Sequence, residues 1–405
     1  GHTERVLDCD YIILSPGVPS KVDIIQQAAQ AGLPIFSEIE LAYWVCRGSI
    51  LAITGSNGKT TTTALLGEIC AASGRPTVVA GNIGTPFSQV ARQVPEQGLV
   101  VLEVSSFQLE RIEQFAPLAS VLLNLTPDHL DRYDSFESYC AAKYRLFENQ
   151  TPDQFAIINA DDPVTMTYKN NFAARRLFFS INEPKTSDRP IPGVFTRGER
   201  LIGRLDGEEI DIIDVHRIRI PGPHNLANAA AASAAALVAG IPPGVIASAL
   251  ESFPGVEHRL EPAGEIGGVR FVNDSKGTNV DAVVVALHSM TGKVNLIAGG
   301  RDKGGDFTQL LPAAQGKVEH LILVGEAKDK IFQQLGRHIP VVMAATMEDA
   351  VRKAFDLSHP GYTVLLSPGC ASFDMYRNYE ERGRDFKAIV DKLKNGKSNG
   401  ATIEV

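Results

Sequence analysis

The sequence predicts an α/β protein built on mostly parallel sheets. Three observations support this. Short apolar runs rich in β-branched residues recur along the chain, with helical patterns between them. One of them, SILAIT at 49–54, leads straight into GSNGKTT, a glycine-rich turn that opens a helical pattern. In the last third, VRFVNDS (269–275), KVNLIAGG (293–300), HLILVG (320–325), PVVMA (340–344) and TVLLSPG (363–369) follow one another as the strands of a doubly wound sheet do.

Composition bounds the answer. The chain has 405 residues, which at roughly 150 per domain predicts two or three domains. Its hydrophobic fraction of 44% with 21% charged residues is that of an ordinary globular protein and excludes global disorder. The balance of 39 Lys+Arg against 47 Asp+Glu leaves a net charge of -8, which argues against a broad basic face for nucleic acid or anionic lipid. No apolar run reaches the length of about 18 residues that a membrane span needs. Cys9, Cys46, Cys70, Cys140 and Cys370 are scattered and form no C-x-x-C pair, so reduced thiols in a cytoplasmic protein are expected rather than a disulfide framework or a zinc site. The first methionine is Met166, and residue 1 does not open a signal peptide, so a removed segment or a fragment is expected.

The elements follow in order. In residues 1–47, DYIILSP (10–16) reads as a strand, 21–32 as a helix stopping at Gly32, and 34–37 as a second strand, a βαβ rhythm too short for a whole domain. In 48–254, SILAIT, LVVLEVSS (99–106), ASVLLNL (119–125) and FAIINAD (155–161) are buried strands. The Pro- and Gly-rich stretch 182–222 alternates in short pieces and reads as a small antiparallel region at the edge. The alanine-rich run 224–239 reads as a helix whose small side chains permit close approach of its neighbours. The doubly wound unit spans 255–395, and the polar remainder, 396–405, is expected to be a flexible tail.

The glycine-rich turn is the strongest chemical signal. Gly55, Ser56, Asn57 and Gly58 let backbone N–H groups converge on phosphate oxygens at a helix N-terminus. Lys59 would reach the β- and γ-phosphates, Thr60 would turn its hydroxyl to Mg²⁺, and Thr61 completes the loop. The usual pattern has a glycine where this chain has Ile53, so this is a shorter variant. A nucleoside triphosphate is expected, with a motor or switch, a kinase and an ATP-dependent ligase all open. Glu103 closes a buried apolar run beside the loop, a suitable place for a hard oxygen ligand to Mg²⁺. Asp128, His129, Asp131 and Arg132 cluster after the strand 119–125. Lys143 sits in a helical pattern, where spacing alone assigns it only a solvated face.

These motifs resemble, in order, those of the Mur ligases of peptidoglycan synthesis: ITGSNGKTT, GNIG (81–84), LEVSSFQLE (102–110), LTPDHLDRY, the lysine of CAAKYRLFEN, GPHNLANAAAA (222–232), EHRLE (257–261), NDSKGTN (273–279) and GGRDKGGDF (299–307). The long segment SPGCASFDMYRNYEERG (367–383) resembles the D-glutamate-adding branch. The resemblance implies three domains: a remnant of a Rossmann-like UDP-binding domain in 1–47, a central P-loop ATPase with a mostly parallel sheet in 48–254, and a C-terminal Rossmann-like amino-acid domain in 255–395. It implies a missing first part of the N-terminal domain. It also implies a monomeric cytoplasmic ligase that uses ATP and two Mg²⁺ ions to join D-glutamate to UDP-N-acetylmuramoyl-L-alanine through an acyl phosphate and a tetrahedral intermediate.

The resemblance also distributes roles. Lys59 and Thr60 would hold the γ-phosphate and the first Mg²⁺ with Glu103, while His129 and a Lys143 carbamylated by CO₂ would serve the second. Asn82, Ser105 and Ser106 would hold the muramoyl-alanine part. His224, Asn225 and Asn228 would meet the adenine side, Arg259 the phosphates, and Asp274 and Lys276 ribose and phosphate. Thr278, Lys303, Ser372, Phe373 and Tyr379 would take D-glutamate, with Tyr379 standing where the family commonly has Phe. Domain closure around 254–259 is expected. The alternatives are another Mur-type or folylpolyglutamate-type ligase, or a catalytically impaired ATP-binding fragment.

Overall fold

The computed structural model describes residues 4–15, 17–18, 22–128, 132–167, 172–183, 191–302 and 304–398. The chain divides into two compact units, Gly1–Pro254 and Gly255–Val405.

In the first unit a nine-stranded sheet runs in the order Glu208–Asp214, Arg200–Leu205, Gly193–Arg197, Arg175–Ser180, Phe155–Asn159, Ala119–Leu122, Ser49–Thr54, Leu99–Glu103, Thr77–Gly81. Every pairing from Gly193–Arg197 onward is parallel, and the two outermost are antiparallel. The expected antiparallel edge is therefore present, and it joins the main sheet in register through Phe178 opposite Gly193. The sequence reading named neither Thr77–Gly81 nor Arg175–Ser180; the latter opens on two exposed arginines that break the apolar run. The central strand Ser49–Thr54 is buried along nearly its whole length, as a parallel strand covered on both faces must be. The helix Lys59–Ala72 follows it, and the alanine-rich helix Pro223–Val238 packs against that helix. Ala229–Ala232 are fully buried, so close approach is what the small side chains provide.

A two-stranded parallel ribbon, Ile12–Leu14 with Ile35–Ser37, flanks the helix Asp23–Gln30 and leads into the helix Glu38–Val45. That last helix is bolted to the unit by one carboxylate. Glu40 is fully buried and accepts hydrogen bonds from the N–H groups of Glu113 (3.0 Å), Gln114 (2.9 Å) and Phe115 (3.1 Å), and from Trp44 Nε1 (2.8 Å). Three backbone donors and an indole replace the water that the buried charge has lost.

The second unit carries a six-stranded sheet in the order Glu261–Ile266, Val269–Asn273, Thr363–Leu366, Val294–Ala298, Val318–Leu323, Val341–Met343. Only the first pairing is antiparallel. Strand alternation explains its two cores. On Val294–Ala298, Val294, Leu296 and Ala298 enter one cluster and Ile297 the other. The five expected strands are all present; Glu261–Ile266 was not foreseen, because its EPAGEI reads as a turn. The final helix runs Tyr379–Ser398, so residues 396–398, expected in a flexible tail, continue the helix instead. Residues 399–405 lie outside the described residues.

Candidate functional site

In the first unit the site forms where the strands Ser49–Thr54, Leu99–Glu103 and Ala119–Leu122 end. The phosphate loop needs its glycines. Gly58 has φ 84° and caps the helix, and a Cβ there would fall 2.5 Å from Asn228 Oδ1. Gly55 has φ 150°, and a Cβ there would fall 2.9 Å from Leu123 Cβ.

Two lysines converge on one carbonyl. Lys59 Nζ donates to Gly55 O (2.7 Å) and Ser56 O (2.8 Å). Lys143 Nζ donates to the same Gly55 O (2.9 Å) and to Thr54 Oγ1 (3.4 Å). Lys143 is 2% exposed, and burial, helped by the nearby charge of Lys59, holds its ammonium well below the ordinary lysine range. The sequence alone had offered Lys143 only a solvated face; the structure buries it at the loop. Its helix, Phe136–Tyr144, is fixed by a capping box at Ser135 and by Tyr139, whose hydroxyl meets Ser56 Oγ at 2.9 Å.

Glu103 is 1% exposed. Its Oε1 accepts from Asn82 Nδ2 (2.8 Å), while Oε2 has no hydrogen-bond partner among the described residues. A buried carboxylate oxygen left without a donor is costly in an isolated fold. It suits a cation, and Thr60, buried in the first turn of the helix that follows the loop, carries a hydroxyl of the same hard oxygen kind that Mg²⁺ takes. Gly81 makes the approach of Asn82 possible, since a Cβ on it would lie 2.2 Å from Glu103 O. Ser105 caps the short helix Ser106–Leu109 with Gln108. Asn225 donates to Pro221 O (2.8 Å), and Asn228 accepts from Thr62 Oγ1 (3.2 Å), which places Asn228 under the phosphate loop. His224 lies in the first turn of the same helix. His129 and Asp131 lie outside the described residues.

The second unit carries Asp274, Lys276, Ser372 and Tyr379, and with them one buried side chain that sequence reasoning missed. Arg382 is 3% exposed and donates to Ser275 Oγ (3.0 Å), Ser275 O (2.8 Å) and Cys370 O (3.2 Å), tying the loop after Val269–Asn273 to the loop after Thr363–Leu366. Burial lowers its pKa only to about 10, so it stays charged at neutral pH. The available signal was helical spacing: Arg382, Phe386, Ile389, Val390 and Leu393 lie on one face. Lys276 Nζ stands 5.3 Å from the centre of the Tyr379 ring, and Tyr379 O accepts from Ser275 Oγ (2.8 Å). Asp274 is buried, accepts from Ser367 Oγ (2.7 Å), and is pushed up to about 6 by burial. Ser372 is buried and its neighbour Phe373 is 61% exposed. Thr278 precedes Asn279, the N-cap of Val280–Ser289. Arg259 has a buried Nε without a partner among the described residues. Lys303 lies outside the described residues. Glu257, His258 and Glu261 cluster as metal ligands can, but Lys387 Nζ already bridges the two carboxylates at 2.7 and 2.8 Å.

A phosphate loop, a buried carboxylate with one unpartnered oxygen and a buried lysine thus lie at the strand ends of the first unit. The family profile described as Mur ligase middle domain matches residues 53–236, and that described as Mur ligase, glutamate ligase domain, matches 258–370. The chain belongs to the Mur ligase family. Relatives named UDP-N-acetylmuramoylalanine--D-glutamate ligase include one from Thermoanaerobacter sp. (strain X514), 45% identical over 95% of this chain and 85% of its own. Another, from Salinibacter ruber, is 45% identical over 97% of this chain and 87% of its own. Among solved structures, a MurF ligase from Thermotoga maritima in complex with ADP has a TM-score of 0.64 at 17% identity, covering 95% of this chain and 96% of that one. A pseudomurein peptide ligase type C from Methanothermus fervidus has a TM-score of 0.66 at 19% identity, covering 97% and 89%. At such identities these two speak for the fold alone. No helix among the described residues is long and apolar enough to cross a membrane.

Proposed function

We infer that this chain is the ATP-dependent ligase that adds D-glutamate to UDP-N-acetylmuramoyl-L-alanine, a cytoplasmic step of peptidoglycan synthesis. The observation that carries the reading is the convergence of Lys59 and Lys143 on Gly55 O at a phosphate loop, in a chain 45% identical to relatives of that name.

A carboxylate does not condense with an amine unaided, because its oxygen leaves poorly. The γ-phosphoryl group of ATP passes to an oxygen of the alanyl carboxylate, releasing ADP and giving an acyl phosphate. The D-glutamate amine adds to the acyl carbon, and phosphate leaves from the tetrahedral intermediate as the amide forms. Positioning and charge neutralisation are what the protein supplies. Gly55, Ser56, Asn57, Gly58 and Thr61 cradle the phosphates, and Lys59 neutralises the transferred group. Mg²⁺, when bound, withdraws charge from the phosphate oxygens. Thr60 and Glu103 would hold one ion, and His129 with Lys143 a second. Asn82 fixes the Glu103 carboxylate and, with Ser105 and Ser106, faces the muramoyl-alanine part. His224, Asn225, Asn228, Arg259, Asp274 and Lys276 serve ATP, and Thr278, Lys303, Ser372, Phe373 and Tyr379 serve D-glutamate.

Lys143 explains itself best as a carbamate. A neutral amine attacks CO₂, loses a proton, and becomes an oxygen-bearing anion; burial beside Lys59 favours the neutral amine that this reaction needs. Phosphate release tests the reading. With ATP, Mg²⁺ and UDP-N-acetylmuramoyl-L-alanine, D-glutamate should drive turnover, and L-alanine, meso-diaminopimelate and L-lysine should not. Turnover with one of those instead, or with none, overturns it.

A further inference from the structure

The phosphate loop is held from behind by Asn124. Asn57 N–H donates to Asn124 Oδ1 (2.8 Å), Asn124 Nδ2 donates to Asn57 O (3.1 Å), and Ser56 N–H donates to Asn124 O (2.9 Å). One side chain thus reads both main-chain groups of Asn57, at the tip of the loop. Asn124 is itself bracketed. Asn159 Nδ2 donates to Leu123 O (2.7 Å), and Asp162 Oδ2 accepts from Leu125 N–H (2.7 Å). The turn 159–162 that carries both groups lies after the neighbouring strand Phe155–Asn159 and is locked internally. Asp161 N–H donates to Asn159 Oδ1 (2.9 Å), and Asp162 Oδ1 accepts from Val164 N–H (2.9 Å) and Thr165 N–H (3.4 Å).

We propose that Asn159 and Asp162 are positioning residues for the nucleotide: they fix the main chain on either side of Asn124, and Asn124 fixes the phosphate-loop tip. Both residues stand outside the set that binds substrate or metal. The two oxygens of Asp162 have separate duties, one capping the helix Pro163–Thr167 and one holding Leu125. A carboxylate–amide hydrogen bond is charge-assisted, so it is the stronger half of the bracket.

The proposal rests on the ATP reading and is tested by affinity for ADP with Mg²⁺, measured by calorimetry on the full chain. Asp162→Ser keeps a capping hydroxyl but cannot reach Leu125, and should weaken ADP by about tenfold, the effect of losing one charge-assisted hydrogen bond. Asn124→Ala should weaken it at least as much. The double variant should lose less than the product of the two single losses, because Asp162 acts on the loop through Asn124 as well as through Thr126, which meets Ser56 Oγ (3.0 Å). Asn159→Ser, which cuts the other half of the bracket, gives the same readout should Asp162→Ser not fold. Wild-type affinity in Asp162→Ser or Asn159→Ser, or multiplicative losses in the double variant, overturns the proposal. Failure of the wild-type chain to bind ADP would instead overturn the ATP reading.

Discussion

Lys143 in the first unit and Arg382 in the second are almost equally buried, 2% and 3% exposed, yet burial treats them differently. Lys143 has a backbone carbonyl at 2.9 Å, a hydroxyl at 3.4 Å, and the charge of Lys59 close by. Arg382 spreads its charge over a planar fork whose N–H groups reach Ser275 Oγ, Ser275 O and Cys370 O. Burial and the charge of Lys59 push the first cation toward neutrality. The second keeps its charge and becomes a fastener. Similar burial lowers both, but the like charge of Lys59 works against the first, while the second starts from the far higher pKa of a guanidinium.

That contrast can be broken most directly at Lys143. Lys143→Ala should cost activity by about a hundredfold to a thousandfold, the scale of losing a group that organises transition-state charge. Lys143→Met, which fills the same space, should lose as much in the same phosphate-release assay. Near-normal turnover in either would make Lys143 a space-filling residue and remove the carbamate. At Arg382 the expected loss is of another kind. Arg382→Lys keeps a charge but cannot satisfy both loops, and should cost about 3 kcal/mol of stability, read by denaturant unfolding of the second unit. No loss would mean that the fork holds nothing. The smallest effect is in pH. Incorporation of labelled bicarbonate at Lys143 should reach half its maximum at a pH below that of surface lysines, because its amine deprotonates earlier. The unfolded chain binds more protons than the folded one between the depressed and the ordinary lysine pKa. The first unit should therefore gain stability as pH rises through that interval. A half-maximum at the pH of surface lysines would remove the distinction between the two buried cations.

The sequence made the fold legible where period and burial agree. SILAIT and VNLIA are apolar throughout and became central parallel strands. EPAGEI and RRLFFS carry turn residues or charges, and their strand character comes from a neighbour's hydrogen bonds rather than from their own pattern. The site divided the same way. The phosphate loop is a local motif and could be read directly. Arg382 and Asp162 sit in polar stretches, and their partners are 107 and 37 residues away in sequence. Nothing local distinguishes Asp162 from a side chain that faces water, and for Arg382 the one signal is its helical spacing with Phe386, Ile389, Val390 and Leu393. Lys143 was assigned through family resemblance, and its burial at the loop could not be read from helical spacing.

The chain has one tryptophan, Trp44, and it lies on the helix that Glu40 bolts to the first unit. Its ring stands edge-on to Phe36 at 5.0 Å and to Tyr11 at 6.1 Å. Indole emission from this protein is therefore a local reporter. It will follow the release of the Glu40 carboxylate from the backbone at 113–115, and it has no counterpart in residues 255–405. Paired with tyrosine fluorescence, a single melting run could show whether the two units let go together or in turn.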